Sequence, residues 1–259
     1  MSIDEAEQEK QNEKDLKLLE NKFLSEKAFP PLKRRGIGSV KDELIPFKHS
    51  MHLIFVRAKF LFLGLLTEIE KENAFAAYAI LKSFWETVAI VGYFVLNAEE
   101  LIAKKDYKEL FILSRKLVMG GRKFPSEEMV EKKGLLREEI THPNLLTMME
   151  KIDKEWDKLF KKQGLGKSSF REEYDNFIAE AGHPTYLGMQ ISGRWLADGS
   201  LLPDIKRSWT SEEGKIIINY ICLSGTIFFY YWVKFRKLAP VKRKLQDSPN
   251  RGVEAKSKK

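Results

Sequence analysis

The segment AFAAYAILKSFWETVAIVGYFVLNAEELIAKK, Ala74 to Lys105, decides the fold, because it is apolar on nearly every face of a helix. Lys82 and Glu86 are the only charged residues in its first half. They are four residues apart, so they share one face. Asn73 is well suited to cap the start of the helix. We therefore predict one long helix that carries a single charged patch.

Helical patterns continue on the N-terminal side of this segment. Asp4 to Phe29 is polar, with a narrow apolar stripe, and Pro30-Pro31 ends the pattern. Ser39 is suited to cap the next helix. We expect Pro46 to interrupt that helix, and a longer helix to run on to Lys71.

The C-terminal side is also helical in pattern, and strand signals are scarce. Together the patterns predict an all-α, multi-helix bundle of roughly seven to nine helices, with the apolar last helix buried inside it. The C-terminal patterns cover Tyr107–Met119, Pro143–Lys162, a stretch that begins near Tyr174, and Ser211–Leu238.

The basic charge of the chain lies at its C-terminus. Ten Lys and Arg and two Asp and Glu fall between Lys234 and Lys259, a net charge of +8, and the rest of the chain is balanced. Such a tail is commonly a solvated end. It can also bind RNA, DNA or anionic lipid through counterion release, with Lys242, Arg243 and Lys244 as candidate contacts.

Composition and charge divide the chain into three parts. A polar N-terminal helix with a basic loop precedes a helical bundle domain, and a disordered basic tail follows it. The predicted boundaries are 1–38, 39–238 and 239–259.

The last helix has two explanations. Ile216 to Val233 contains no charged residue and reaches the lower length limit for a membrane span. Polar residues such as Asn219 weaken it as a span, and an anchor here would send the basic tail across the membrane. We therefore expect a buried helix and no membrane partner. With a single Cys and no signal-like N-terminus, the chain is expected to be cytoplasmic.

The sequence predicts neither a metal site nor another cofactor. His49 and His52 are three residues apart, but no Cys or third His accompanies them. Cys222 lies in the most apolar helix, where a thiol is usually inert, so it is not predicted to be a nucleophile.

His142 and His183 each precede a proline, a position at which a new helix commonly begins. The helix dipole there favours a neutral imidazole, which can act as a base or as a simple cap. The spacing of Arg137 and His142, with four residues between them, resembles the Arg-x(4–6)-His signature of HEPN-type ribonucleases. That resemblance implies that Arg holds the scissile phosphate and that His moves the proton of the attacking 2′-hydroxyl.

Two further stretches resemble an all-helical, mainly bacterial family of unknown function that is itself HEPN-like. AYAILKSFWETVAIVGYF is similar to the family's Arg-Ser-x-x-Glu helix, with Ser83 and Glu86 matching and Lys82 in place of the arginine. YDNFIAEAGHPTY matches at Tyr174 and His183, but alanines stand where the family has a serine. The resemblance covers roughly residues 48–235 and implies a fold more than a chemistry.

The resemblance also implies that the two stretches meet in the bundle. They would form a polar cluster of Lys82, Glu86, Tyr174 and His183, joined by Arg194. A buried carboxylate needs a cation or hydrogen-bond donors. The cluster is therefore either an internal network that fixes helix register or a pocket that faces a phosphate.

These observations leave two leading functions. The first is a HEPN-like protein that binds or acts on RNA, as a homodimer, in a toxin or phage-defence setting. If it is an enzyme, it would be a metal-independent ribonuclease. The alternative is a non-catalytic helical interaction module whose N-terminal helix pairs with a protein partner. Membrane association through the last helix and the tail is the least favoured explanation.

Overall fold

The computed structural model describes seven α-helices, and the predicted all-α bundle is confirmed. The described residues are 3–26, 40–119, 143–163, 169–179, 193–198, 200–203 and 211–238. The helices are α1 (Ile3–Ser25), α2 (Val40–Glu70), α3 (Ala74–Lys104), α4 (Tyr107–Met119), α5 (Leu145–Gln163), α6 (Phe170–Glu173) and α7 (Ser211–Leu238). A π-helical turn, Tyr174–Ile178, continues α6.

Helix α3 lies at the centre of the bundle. It begins where the sequence predicts, because the Asn73 side chain accepts a hydrogen bond from the Ala76 N–H at 3.2 Å. It ends at Lys105, which adopts a left-handed conformation with φ 58°. Helices α2, α4, α5 and α7 and the π-helical turn all pack against α3. The apolar character of α3 on most faces follows from this set of neighbours.

The last helix, α7, packs closely on α3, and its apolar inner side is buried as predicted. At Gly92 of α3 a Cβ would lie 2.7 Å from Ile152 Cδ1 of α5 and 2.9 Å from Tyr231 Cε2 of α7. Only glycine lets these three helices approach so closely. Gly92 therefore sets the spacing of α3, α5 and α7.

The N-terminal helix α1 covers α7 and the adjoining part of α2. Leu19 and Phe23 of α1 are buried, and the Phe23 ring stacks on Phe62 of α2 with centroids 4.7 Å apart. At Gly225 of α7 a Cβ would lie 2.7 Å from Leu19 Cδ1. The narrow apolar stripe of α1 is thus used within the chain.

Two local features differ from the sequence prediction. Helix α2 runs through Pro46 without the predicted interruption. Proline removes a single backbone hydrogen bond there, and burial of Phe47 and Met51 just beyond it holds the helix together. A short antiparallel hairpin, β1 (Gly193–Trp195) and β2 (Leu201–Pro203), was not predicted, because three-residue strands leave almost no periodic signal.

Candidate functional site

Helix α3 and the π-helical turn bring together three of the four described members of the predicted polar cluster. The Tyr174 hydroxyl donates to Glu86 Oε1 at 2.7 Å. Lys82 Nζ lies 3.9 Å from the same oxygen. The side chains of Lys82 and Glu86 are 16% and 30% exposed, so both are within reach of solvent.

The backbone around Tyr174 is fixed by its neighbours. The Ser169 side chain caps α6 by accepting from the Glu172 N–H at 3.1 Å. Asp153 of α5 also accepts from the Phe170 N–H at 2.6 Å and the Arg171 N–H at 3.2 Å. A carboxylate at a helix start satisfies backbone donors and opposes the positive end of the helix dipole.

A second hydrogen bond between a tyrosine and a glutamate lies beside the first, and its two residues were not predicted from the sequence. The Tyr220 hydroxyl of α7 donates to Glu173 Oε2 at 2.7 Å. The Phe177 ring stacks on Tyr220 with centroids 5.3 Å apart. We call Lys82, Glu86, Glu173, Tyr174 and Tyr220 the seam, because they join α3 and α7 to the end of α6.

Burial and neighbouring carboxylates keep both phenols of the seam protonated. Burial raises the pKa of Tyr174, and the hydrogen bond to Glu86 raises it further. Burial and then the bond to Glu173 raise the pKa of Tyr220 in the same way. Each phenol is therefore a donor at neutral pH, and each carboxylate is held in one orientation. The seam offers a fixed acceptor, Glu86, beside an ammonium donor, Lys82.

The sequence contains a signal for Tyr220 as a residue with a polar contact, but it contains none for its partner Glu173. A tyrosine inside the uncharged stretch Ile216 to Val233 needs a partner for its hydroxyl once that stretch is buried. That requirement makes Tyr220 a candidate for a polar contact. Nothing in the spacing shows that the partner is Glu173, which is 47 residues away.

The other predicted site residues are not placed with the seam. Arg137, His142 and His183 lie outside the described residues, as do the tail residues Lys242, Arg243 and Lys244. The backbone of Arg194 lies in β1, opposite Leu202 of β2, and its side chain is outside the described part. The roles of these residues therefore stay predictions.

The two histidines of α2 do not form a metal centre in the described part of the chain. His49 is exposed, whereas the His52 ring lies edge-on to Trp232, with centroids 5.7 Å apart. Burial, followed by the charges of His49 and Arg236, lowers the pKa of His52 to about 4. Within the described ranges, no group of three His, Cys, Asp or Glu could hold a metal ion.

The surroundings of Cys222 are those expected of an unreactive thiol. Its side chain is buried, and its Sγ lies 3.6 Å from the Asn12 carbonyl oxygen of α1. Burial raises its pKa to about 11, with a further contribution from Asp15. A thiol with a raised pKa is a poor nucleophile at neutral pH.

The predicted cytoplasmic location is contradicted. That prediction considered a single candidate membrane span, but three described helices are long and apolar enough to cross a membrane. They are Phe47–Glu70, Ala74–Lys104 and Glu213–Leu238, and the error came from counting only stretches free of charge. The apolar windows of α3 and α7 are 61% and 56% buried inside the bundle, but that of α2 is only 33% buried.

Helix α2 exposes large apolar side chains on the side that faces away from α3. Leu53 is 52% exposed, Val56 48% and Phe60 69%. We call these three residues the outer face of α2. Exposed apolar surface of this kind commonly marks an interaction site.

Comparison with protein-family models, with curated proteins and with solved structures finds no match for this chain. The family resemblance therefore remains a proposal that rests on the residues quoted for it.

Proposed function

We propose that the chain is a HEPN-like helical protein that binds RNA and acts on it at one half of the seam, formed by Lys82, Glu86 and Tyr174. The observation that carries this proposal is the hydrogen bond between Tyr174 and Glu86, at 2.7 Å and 88 residues apart in sequence. It joins the two stretches on which the family resemblance rests. Helix packing alone does not require the matching residue of one stretch to contact the matching residue of the other.

The seam has groups suited to cleavage by a 2′-hydroxyl. In that reaction the 2′-oxygen bonds to phosphorus, the 5′-oxygen leaves, and one proton is taken up while another is given back. Lys82 can oppose the charge of the phosphate, and Glu86, held by Tyr174, can accept or orient a proton. Arg137, His142 and His183 keep the roles that the resemblance implies, and substitution tests them.

The basic tail supports RNA binding of a sequence-independent kind. Residues 239–259 hold seven Lys and Arg and two Asp and Glu, a net charge of +5. Release of counterions makes such binding fall steeply as salt rises. Changing Lys242, Arg243 and Lys244 to Gln should weaken binding to any single-stranded RNA and reduce its salt dependence, as measured by fluorescence anisotropy.

Cleavage of labelled single-stranded RNAs by the purified protein tests the proposal, with melting temperature measured in parallel. The test variants are Glu86→Gln and Tyr174→Phe. The matched controls are Glu173→Gln and Tyr220→Phe, because they remove an equivalent bond from the other half of the seam. We expect the test variants to lose at least tenfold in cleavage rate, and the controls to lose no more than their melting temperatures explain.

His142→Ala and His183→Ala extend the same experiment to the histidines predicted from the sequence. Loss of cleavage in one of them, at unchanged melting temperature, would make that histidine catalytic. If the wild-type chain binds RNA but cleaves none of several sequences, the catalytic part of the proposal is wrong. If it binds no RNA at low salt, the whole proposal is wrong.

A non-catalytic interaction module is the second candidate, favoured by the exposed apolar residues of α1 and α2. The inner side of α1 is covered by α7, so a protein partner would have to contact Leu18 and Leu24, each 52% exposed. In this case the seam only fixes helix register. All four seam variants would then lower the melting temperature by similar amounts and have no separate effect on RNA. Analytical ultracentrifugation would test the predicted homodimer.

A further inference from the structure

The outer face of α2 forms a continuous stripe. Leu53, Val56 and Phe60 follow the spacing of one face of a helix. The opposite side of α2, with Met51, Phe55 and Phe62, is buried against the rest of the bundle. Helix α2 is thus apolar on two sides, and the described part of the chain covers only one of them.

The charged residues that α2 itself carries beside the stripe are basic. No Asp or Glu lies between Glu43 and Glu68 in the sequence. At 100° per residue, Arg57 lies on one flank of the stripe and Lys59 on the other. Arg57 is partly fixed, because its Nε donates to Thr87 Oγ1 of α3 at 3.2 Å. An apolar stripe with basic flanks is the pattern of a helix that lies on an anionic membrane surface.

We propose that the outer face of α2 docks on the surface of an anionic lipid bilayer. Helix α2 would lie along the surface, with Leu53, Val56 and Phe60 at the boundary between headgroups and acyl chains. Arg57 and Lys59 would then meet lipid phosphates or carboxylates. This surface is separate from the seam and does not depend on RNA binding.

The same charges disfavour a second copy of the chain as the partner. In a twofold dimer through this face, the patch would meet itself, so the basic flanks of one copy would face the basic flanks of the other. Like charges placed opposite one another across an interface oppose association. An anionic surface has the complementary charge.

The described bundle also favours docking over spanning. Two carboxylates form ion pairs at the C-terminal end of α7. Lys234 is paired with Glu155 of α5 at 3.0 Å, and Arg236 with Glu26, the residue that follows α1. Moving α7 into a bilayer would have to break or bury these pairs. Docking through α2 leaves them in water.

The test is flotation of the full chain with phosphatidylcholine vesicles that contain 30 mol% phosphatidylserine. The test variant is Leu53→Gln with Phe60→Gln. The matched control is Leu18→Gln with Leu24→Gln, because those leucines are comparably exposed on α1. Both pairs are also made in a chain whose Lys242, Arg243 and Lys244 are Gln, so that binding by the tail is measured separately.

We expect the α2 pair to lower the vesicle partition coefficient at least tenfold in both backgrounds, and the α1 pair to lower it less than twofold. Lys59→Gln should lower it by a smaller factor, which 0.5 M KCl removes. Equal losses in the two pairs would overturn the proposal. So would binding that depends on the tail alone, a dimer that the α2 pair dissociates, or a wild-type chain that only detergent releases from membranes.

Discussion

Helices α2 and α3 are each 31 residues long and each contains a stretch apolar enough to cross a membrane, but they differ in what covers them. Five neighbouring elements pack around α3, and its apolar side chains are explained by that burial. Helix α2 buries one side and leaves Leu53, Val56 and Phe60 in solvent. Similarly apolar stretches therefore form the core in α3 and, in α2, a surface that the rest of the described chain leaves exposed.

The largest expected effect is the loss of stability when a buried side chain of α3 is truncated. The Trp85 side chain of α3 is fully buried and stacks on Phe170, with ring centroids 4.4 Å apart. Trp85→Ala should lower the free energy of unfolding by about 3–5 kcal/mol, because it leaves a cavity. Urea denaturation followed by circular dichroism measures the loss. A loss below about 1 kcal/mol would show that α3 is not the centre of the core.

Substitution of one glycine in each helix should have opposite effects on stability. At Gly92 of α3 a Cβ would lie 2.7 Å from Ile152 Cδ1, so Gly92→Ala should destabilise the fold by about 1–3 kcal/mol. At Gly64 of α2 the nearest atom, Ile80 Cδ1, is 3.7 Å away. Gly64→Ala should therefore stabilise by about 0.5–1 kcal/mol, through helix propensity. The same denaturation experiment measures both, and equal signs would contradict the packing described.

His52 lies at the edge between the buried and the exposed side of α2. It should make the free energy of unfolding depend on pH. Its pKa is lowered from the ordinary value of 6.5 to about 4 in the folded chain. The unfolded chain therefore binds more protons between those two values, and stability should fall as pH drops through this window. His52 is only partly buried, so the expected loss is on the order of 1 kcal/mol. His52→Gln should flatten this part of the curve of unfolding free energy against pH.

The smallest expected effect belongs to the outer face. Phe60→Ala should change the free energy of unfolding by less than about 0.5 kcal/mol, because the side chain is largely in solvent. Phe62→Ala, two residues away on the buried side, should cost about 3–5 kcal/mol. Thermal unfolding of the two variants compares them directly. Similar losses would mean that Phe60 is covered in solution.

The sequence was informative where a single helix carries the signal. The start of α3 and its cap at Asn73 were predictable, because capping and apolar periodicity are local. The face of α2 that is left uncovered was not predictable. A helix that is apolar on two sides does not show which side its own chain covers, since that depends on packing between distant segments.

One of the two tyrosine–glutamate contacts of the seam was predictable, and the other depends on packing between distant segments. The contact of Glu86 with Tyr174 followed from a resemblance that paired two stretches. The contact of Glu173 with Tyr220 had no such guide and depends on how α7 lies beside α6.

The predicted interruption of α2 at Pro46 was wrong, because burial of the residues that follow overrides the local effect of a proline.

Thiol labelling at position 60 tests whether the outer face of α2 is open in solution and is covered when an anionic membrane is present. The experiment uses Phe60→Cys in a Cys222→Ser chain, with Leu18→Cys as the control, and a maleimide that does not enter bilayers. We expect fast labelling at both positions without vesicles, and at least tenfold slower labelling at position 60 alone with phosphatidylserine vesicles. Slow labelling at position 60 without vesicles, or no protection with them, would contradict this expectation.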